Sequence, residues 1–306
     1  TACRRQRQMC IRDSYIPIRK MGYSMAPRPG WDKSFEWDGY VPFEEMPFIY
    51  NPPEGYISTA NNKTIGNDFP YYISGLWADP SRSSRIKEVL EEDKKFSLED
   101  MKSLQLDLTS NYSKEILPAI LKNAGTYENP IINRAIQFLN DWNHVESIDS
   151  EGTLIFHSIS NEIIRNIYYD ELSVLGDKYF ETYIGLKYIT KRNLRRILKS
   201  HTNKWVDDIR TPNKNETIDE IITKSIESGI QKVVDIYGPN WSNWKWGSAH
   251  SLTHKHILGD IKILNYLFNL NIGPFLSGGS DVTPNAGGYS LHLSLIHISE
   301  PTRPYL

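Results

Sequence analysis

Cysteine is nearly absent from this 306-residue chain: there are two, Cys3 and Cys10, and both fall in its first ten positions. The rest of the sequence therefore holds no disulfide framework and no cysteine-based zinc site, and implies neither a reducing nor an oxidising compartment. Long apolar runs are missing too. No stretch approaches the ~18 to 20 residues of a membrane span, and the first residues lack the apolar core of a secretion signal. Nor is there an excess of positive charge. Lys and Arg number 35 against 37 Asp and Glu, for a net charge of −2. No basic stripe interleaves with aromatics, so nucleic acid is not an expected partner.

The two ends differ from what lies between them. Thr1 to Ser14 (TACRRQRQMCIRDS) and roughly Ser294 to Leu306 (SLIHISEPTRPYL) share neither the composition nor the rhythm of the body. Both read as translated sequencing-adapter sequence, a contaminant of metagenomic assemblies, and are set aside from fold reasoning as an expression tag would be. This leaves a mildly acidic body, 15–293, with 1–14 and 294–306 read as artefacts.

Within the body, Tyr15 to about Phe69 is dense in Pro, Gly and aromatics. Short runs such as Tyr15-Ile16-Pro17-Ile18 and Gly55-Tyr56-Ile57-Ser58 predict short strands between turns. From Pro80-Ser81-Arg82 the period becomes helical, with Ile86, Val89 and Leu90 at i, i+3, i+4. Ser97 offers an N-cap with Asp100 three residues on, ahead of Leu98, Met101, Leu104 and Leu108. Further helices are expected over Tyr112 to Lys122, with Pro118 as a kink, and over Pro130 to Trp142, with Ile132, Ala135, Ile136 and Leu139 facing inward. Similar patterns cover Thr153 to Tyr169, Lys191 to Lys199 and Thr217 to Tyr237. After Gly238 the sequence returns to Trp-, Gly- and His-rich loops and strands. The pattern predicts an α+β fold in one domain with a helical region at about 80–237.

The most informative stretch is Trp37-Asp38-Gly39-Tyr40-Val41-Pro42-Phe43-Glu44-Glu45-Met46-Pro47, then Asn51-Pro52-Pro53-Glu54-Gly55-Tyr56-Ile57 and Thr59-Ala60-Asn61-Asn62. Together with Trp77 to Ile86, Gln105 to Pro118, Trp244-Lys245-Trp246-Gly247-Ser248-Ala249-His250 and Gly278-Gly279, this series resembles the β-chain of the penicillin acylase (penicillin amidase) family. The resemblance covers most of the body. It implies part of an N-terminal-nucleophile hydrolase, an αββα sandwich, and an amidase that works through an N-terminal residue, usually Ser. That residue's own α-amine acts as base through a water; with a pKa of about 7.7 to 8 it is partly neutral at working pH, unlike a lysine.

The resemblance puts Asn61 in the oxyanion hole, where an amide donates hydrogen bonds without bringing a charge. From the Asn-Asn pair alone, an ordinary turn is the simpler reading. Arg82, five residues after Trp77, matches the arginine that orients this asparagine and the nucleophile's amine, while Arg85 reads as a solvated charge at a helix start. Thr1 is rejected as nucleophile because the family places that residue well over a hundred positions before the asparagine. The nucleophile and most of the acyl pocket are therefore expected to lie outside this chain, leaving it inactive alone.

The resemblance further implies an α-chain partner from the same self-cutting precursor, a small acylated amide substrate, and a periplasmic or extracellular site of action. No cofactor is needed for the chemistry. Structural calcium is an expectation for the parent, but its ligands lie largely upstream and none is matched near Tyr71 to Ile73. His250 and His254, at helical i, i+4 spacing, with His256 and Asp260, make an alternative metal reading that the resemblance counts against. Trp241, Trp244 and Trp246 read as packed core or as a sugar-stacking platform. Two rival functions stay open: an N-acyl-homoserine-lactone acylase of the same family, and a non-catalytic binding protein on the same scaffold.

Overall fold

The computed structural model describes residues 15–23, 27–200 and 204–287. Both end segments read as adapter-derived, along with Cys3, Cys10 and Thr1, lie outside the described residues. The chain divides into two compact units, Thr1–Ala78 and Asp79–Leu306.

In the first unit, β1 (Pro17–Arg19) pairs antiparallel with β2 (Trp37–Tyr40), with Pro17 opposite Tyr40 and Arg19 opposite Trp37. The Val41 amide extends the ladder by donating to the Ile16 carbonyl at 2.9 Å. Among the described residues of this unit, Ile16, Val41, Ala60 and Ala78 are the buried apolar ones, whereas Trp31, Phe48 and Tyr50 are more than 80% exposed. The strand expected at Gly55 to Ser58 does not form. A turn closes just before it, with the Gly55 amide on the Pro52 carbonyl at 3.0 Å, and no second strand among the described residues supplies a ladder.

The second unit is mostly helical. α1 (Ser81–Leu90) is followed by α2 (Leu98–Gln105), which starts on the expected Ser97 cap: the Ser97 side chain accepts from the Asp100 amide and the Asp100 carboxylate accepts from the Ser97 amide. This reciprocal pairing satisfies two donors that a helix start leaves open. α3 (Asn111–Lys122) runs through Pro118, whose ring is exposed, and α4 (Pro130–Asp141) places a proline in its first turn where no amide is missed.

α5 (Glu151–Val174) is longer at both ends than its sequence period suggested, and every residue from Gly152 to Ser160 is buried. α6 (Asp177–Gly185), which the period did not reveal, turns the chain into α7 (Lys187–Ser200). α8 (Ile218–Tyr237) begins on a Thr217–Glu220 capping box and ends at Gly238 with φ 80°.

The core lies where α8 packs on α5, with Leu154, Ile155, Ile159, Ile163 and Ile167 in one cluster with Ile222, Ile226, Ile230 and Val233. Gly229 makes the close approach possible. A Cβ there would lie 2.8 Å from the Ile159 Cα, and Ser158 Oγ donates to the Gly229 carbonyl at 2.7 Å.

Beyond α8, α9 (Trp246–Ala249) leads into β3 (Ser251–His254), then α10 (Lys262–Phe268) and β4 (Ile272–Leu276). β3 and β4 pair antiparallel, with Ser251 opposite Leu276 and His254 opposite Ile272. Ile257, Ile263, Tyr266, Leu267 and Phe268, in α10 and the turn before it, are each more than 60% exposed. No helix among the described residues is long and apolar enough to cross a membrane.

Candidate active site

Asn61 sits in the first unit on a left-handed backbone, φ 62°, a conformation that Asn adopts more readily than other non-glycine residues. Its carbonyl accepts from the Ala78 amide at 2.8 Å, and the next residue, Asn62, receives the Ala60 amide on its side-chain oxygen at 3.0 Å. These bonds fix the backbone on both sides of Asn61, and the residue itself is exposed. Upstream, Asn51 at φ 44° and Gly55 at φ 76° bend the Asn-Pro-Pro-Glu-Gly segment that precedes it. In the same unit the Tyr71 hydroxyl donates to Glu45 Oε2 at 2.7 Å, an attachment that raises the phenol's pKa.

Arg82 belongs to the second unit, at the second position of α1, and is half-buried. The start of that helix is held by side chains. The Ser81 amide donates to Asp79 Oδ1 at 2.9 Å, and Arg195 Nη2 reaches both Asp79 Oδ1 at 3.0 Å and Ser81 Oγ at 2.8 Å. Arg195 also ion-pairs with Glu115 at 2.9 Å. Arg85 is not the solvated charge that its position suggested. Its Nε donates to Asp107 Oδ2 at 2.6 Å and its Nη1 to Glu88 at 3.3 Å, and although burial opposes the charge, these carboxylates raise the guanidinium's pKa.

A buried polar cluster in the second unit escaped the sequence reading. His157 Nε2 donates to Glu146 Oε1 at 3.1 Å, with the two side chains 1% and 0% exposed. The Trp246 ring stacks on His157 at 4.7 Å and its indole N–H donates to the Gly279 carbonyl at 2.8 Å. The Gly279 amide in turn donates to the Glu146 carbonyl at 2.7 Å. Burial alone would raise the Glu146 carboxyl, but the His157 charge and hydrogen bond, the Ser280 hydroxyl and Lys191 outweigh it and hold it below the ordinary range. Asp281 is likewise buried, and the charge and hydrogen bond of Lys191, then Lys187 and His157, pull it down. The one available signal was a histidine inside the apolar run Leu154-Ile155-Phe156-His157. Its partner, eleven residues earlier, gave none.

The histidine reading needs correction. His250 to His254 is not a helical turn: His250 ends α9 and His254 lies on strand β3, so the two do not share a helix face. His250 is buried with its Nδ1 donating to the Ser277 carbonyl at 2.9 Å, while His256 Nδ1 accepts from the Leu258 amide at 3.1 Å. Among the described residues no three His, Cys, Asp or Glu side chains are grouped to hold a metal. Trp244 and Trp246 are fully buried and cannot present a stacking face to a sugar, and Arg134 lies over the half-exposed Trp241 ring at 5.8 Å.

The fold is that of an N-terminal-nucleophile hydrolase. A thermostable penicillin G acylase from Alcaligenes faecalis aligns with 76% of this chain and 45% of its own at a TM-score of 0.53, with 18% identity. The family follows from the sequence: the model of the Penicillin amidase family matches residues 2–301, and the chain belongs to that family.

Among curated relatives, an acyl-homoserine lactone acylase of Pseudomonas aeruginosa is 24% identical over 89% of this chain and 35% of its own length. Penicillin acylase 2 proenzyme of Pseudomonas sp. is 36% identical over a shorter stretch, 31% of this chain and 12% of that protein. The chain thus spans about a third of the length of the first of these relatives.

Proposed function

We propose that this chain supplies the oxyanion side of the active site of an amidohydrolase that cleaves the side-chain amide of a small acylated substrate. In this reading the nucleophile is an N-terminal hydroxyl residue outside the 306 residues. Its oxygen attacks the amide carbonyl while its proton passes through a water to its own α-amine. The Asn61 amide donates to the oxyanion of the tetrahedral intermediate, and Arg82 orients that amide and the amine. Collapse breaks the C–N bond, the α-ammonium returns its proton to the leaving amine, and water then hydrolyses the acyl-enzyme. The α-chain of the same precursor is the partner, and the site of action is the periplasm or the exterior of the cell.

The observation that carries the reading is Asn61, an exposed asparagine on a left-handed, hydrogen-bonded backbone inside a family match. Two substrate classes are supported differently. The acyl-homoserine lactone acylases resemble nearly the whole chain, whereas the penicillin acylases resemble a shorter part at higher identity. The breadth of the first match favours an N-acyl-homoserine lactone as the second reading. The deciding experiment measures kcat/KM of an enzyme carrying this chain on acyl-homoserine lactones and on penicillins. Release of the free amine from either class supports the reading, and release from neither contradicts it.

A further inference from the structure

The helical region contains a cavity of about 270 Å³ between the second half of α5, α6, α7 and Trp205. It is a depression about half open to solvent, with Arg196 exposed at its edge. It approaches the lower end of small-molecule sites, about 300 Å³, which is room for one ring and a short polar arm.

Its walls are aromatic. The Tyr168 ring lies 4.7 Å from Tyr183 and 5.5 Å from Trp205, tilted to both, and the Asn193 amide fixes the Tyr183 hydroxyl by donating to it at 3.1 Å. Leu172 and Ile197 complete the apolar lining. One lining residue carries a charge: Arg196, exposed at the edge, with no ion-pair or hydrogen-bond partner among the described residues. Lys204 lies 5.6 Å over the Trp205 ring but does not line the cavity. Glu171 acts on Tyr168 through space but does not line the cavity.

We propose that this cavity binds a small aromatic carboxylate, its ring among Tyr168, Tyr183 and Trp205 and its carboxylate on Arg196. Tilted aromatic walls offer both faces and edges to a further ring. A single guanidinium fork matches the two oxygens of a carboxylate, whereas a phosphate dianion calls for more donors than the cavity offers. The site lies in the helical region and uses neither Asn61 nor Arg82, so it stands whether or not the hydrolase reading does.

The test titrates the 306-residue chain with 3-phenylpropionate, with the neutral 3-phenylpropionamide and with hexanoate, by calorimetry and saturation-transfer NMR. Saturable one-to-one binding of 3-phenylpropionate is expected, with the amide weaker by about tenfold or more, the scale of a lost charge-assisted hydrogen bond, and hexanoate weaker because it keeps the carboxylate but lacks the ring. Arg196→Met should weaken the carboxylate about tenfold, leave the amide unchanged and keep the melting temperature, because Arg196 is exposed and unpaired. Absence of saturable binding, equal binding of acid and amide, or undiminished binding to Arg196→Met each overturns the proposal.

Discussion

Removing His157 tests how much the buried ion pair contributes. In His157→Leu the Glu146 carboxylate stays fully buried without its main cationic partner, and breaking a buried pair from one side costs about 3 to 5 kcal/mol. Loss of the ring stacked on Trp246 adds about 0.5 to 1.5 kcal/mol. Against a total stability of about 5 to 15 kcal/mol this is a large fraction. Glu146→Leu should cost less, because it removes the buried carboxylate together with the burial that opposes its charge. The double variant should be milder than the sum of the two, with a coupling of about 2 kcal/mol or more. Urea unfolding followed by near-ultraviolet circular dichroism reads the environment of the buried Trp244 and Trp246 in all four proteins. The reasoning fails if His157→Leu lies within about 1 kcal/mol of the parent, or if the single effects add to within about 0.5 kcal/mol.

Other expectations follow from the same packing and charges. Gly229→Val should destabilise by about 1 to 3 kcal/mol, because its Cβ would meet the Ile159 backbone at 2.8 Å; the melting temperature measures it. Glu146 and Asp281 titrate below the ordinary carboxylate range when folded, so their contribution is present above that range and is lost as pH falls through their folded values. Glu171 has the opposite sign. Burial, with the neighbouring Asp170, raises it from 4.5 to about 7, so its protonated form stabilises the fold at low pH and that contribution is lost as pH rises to about 7. Glu171→Gln should flatten that decline in a series of melting curves between pH 4.5 and 7.

Much of the helical region was legible because its signals are local. The Ser97–Asp100 cap and Pro130 in the first turn of α4 each lie within a few residues of what they determine. The period of α8 did the same for its buried face. What stayed hidden depends on residues far apart in the chain. Nothing near Lys191 announces Asp281, and Arg85 read as solvated because Asp107 sits beyond the next helix. His250 to His254 has helical spacing, but pairing of β3 with β4 across α10 makes it a strand end. The candidate site was legible through the ordered motif series around Asn61; its left-handed backbone required coordinates.

The central claim is that Asn61 donates to the oxyanion, and kcat of an enzyme carrying this chain with Asn61→Gly or Asn61→Ala tests it most directly. Glycine accepts the φ of 62° without strain and removes the same amide, so it separates the chemistry from the backbone. Both variants should lose about 10² to 10³ in kcat while unfolding cooperatively, as when an oxyanion donor is removed. Turnover within a few-fold of the unsubstituted enzyme in the glycine variant would contradict the assignment.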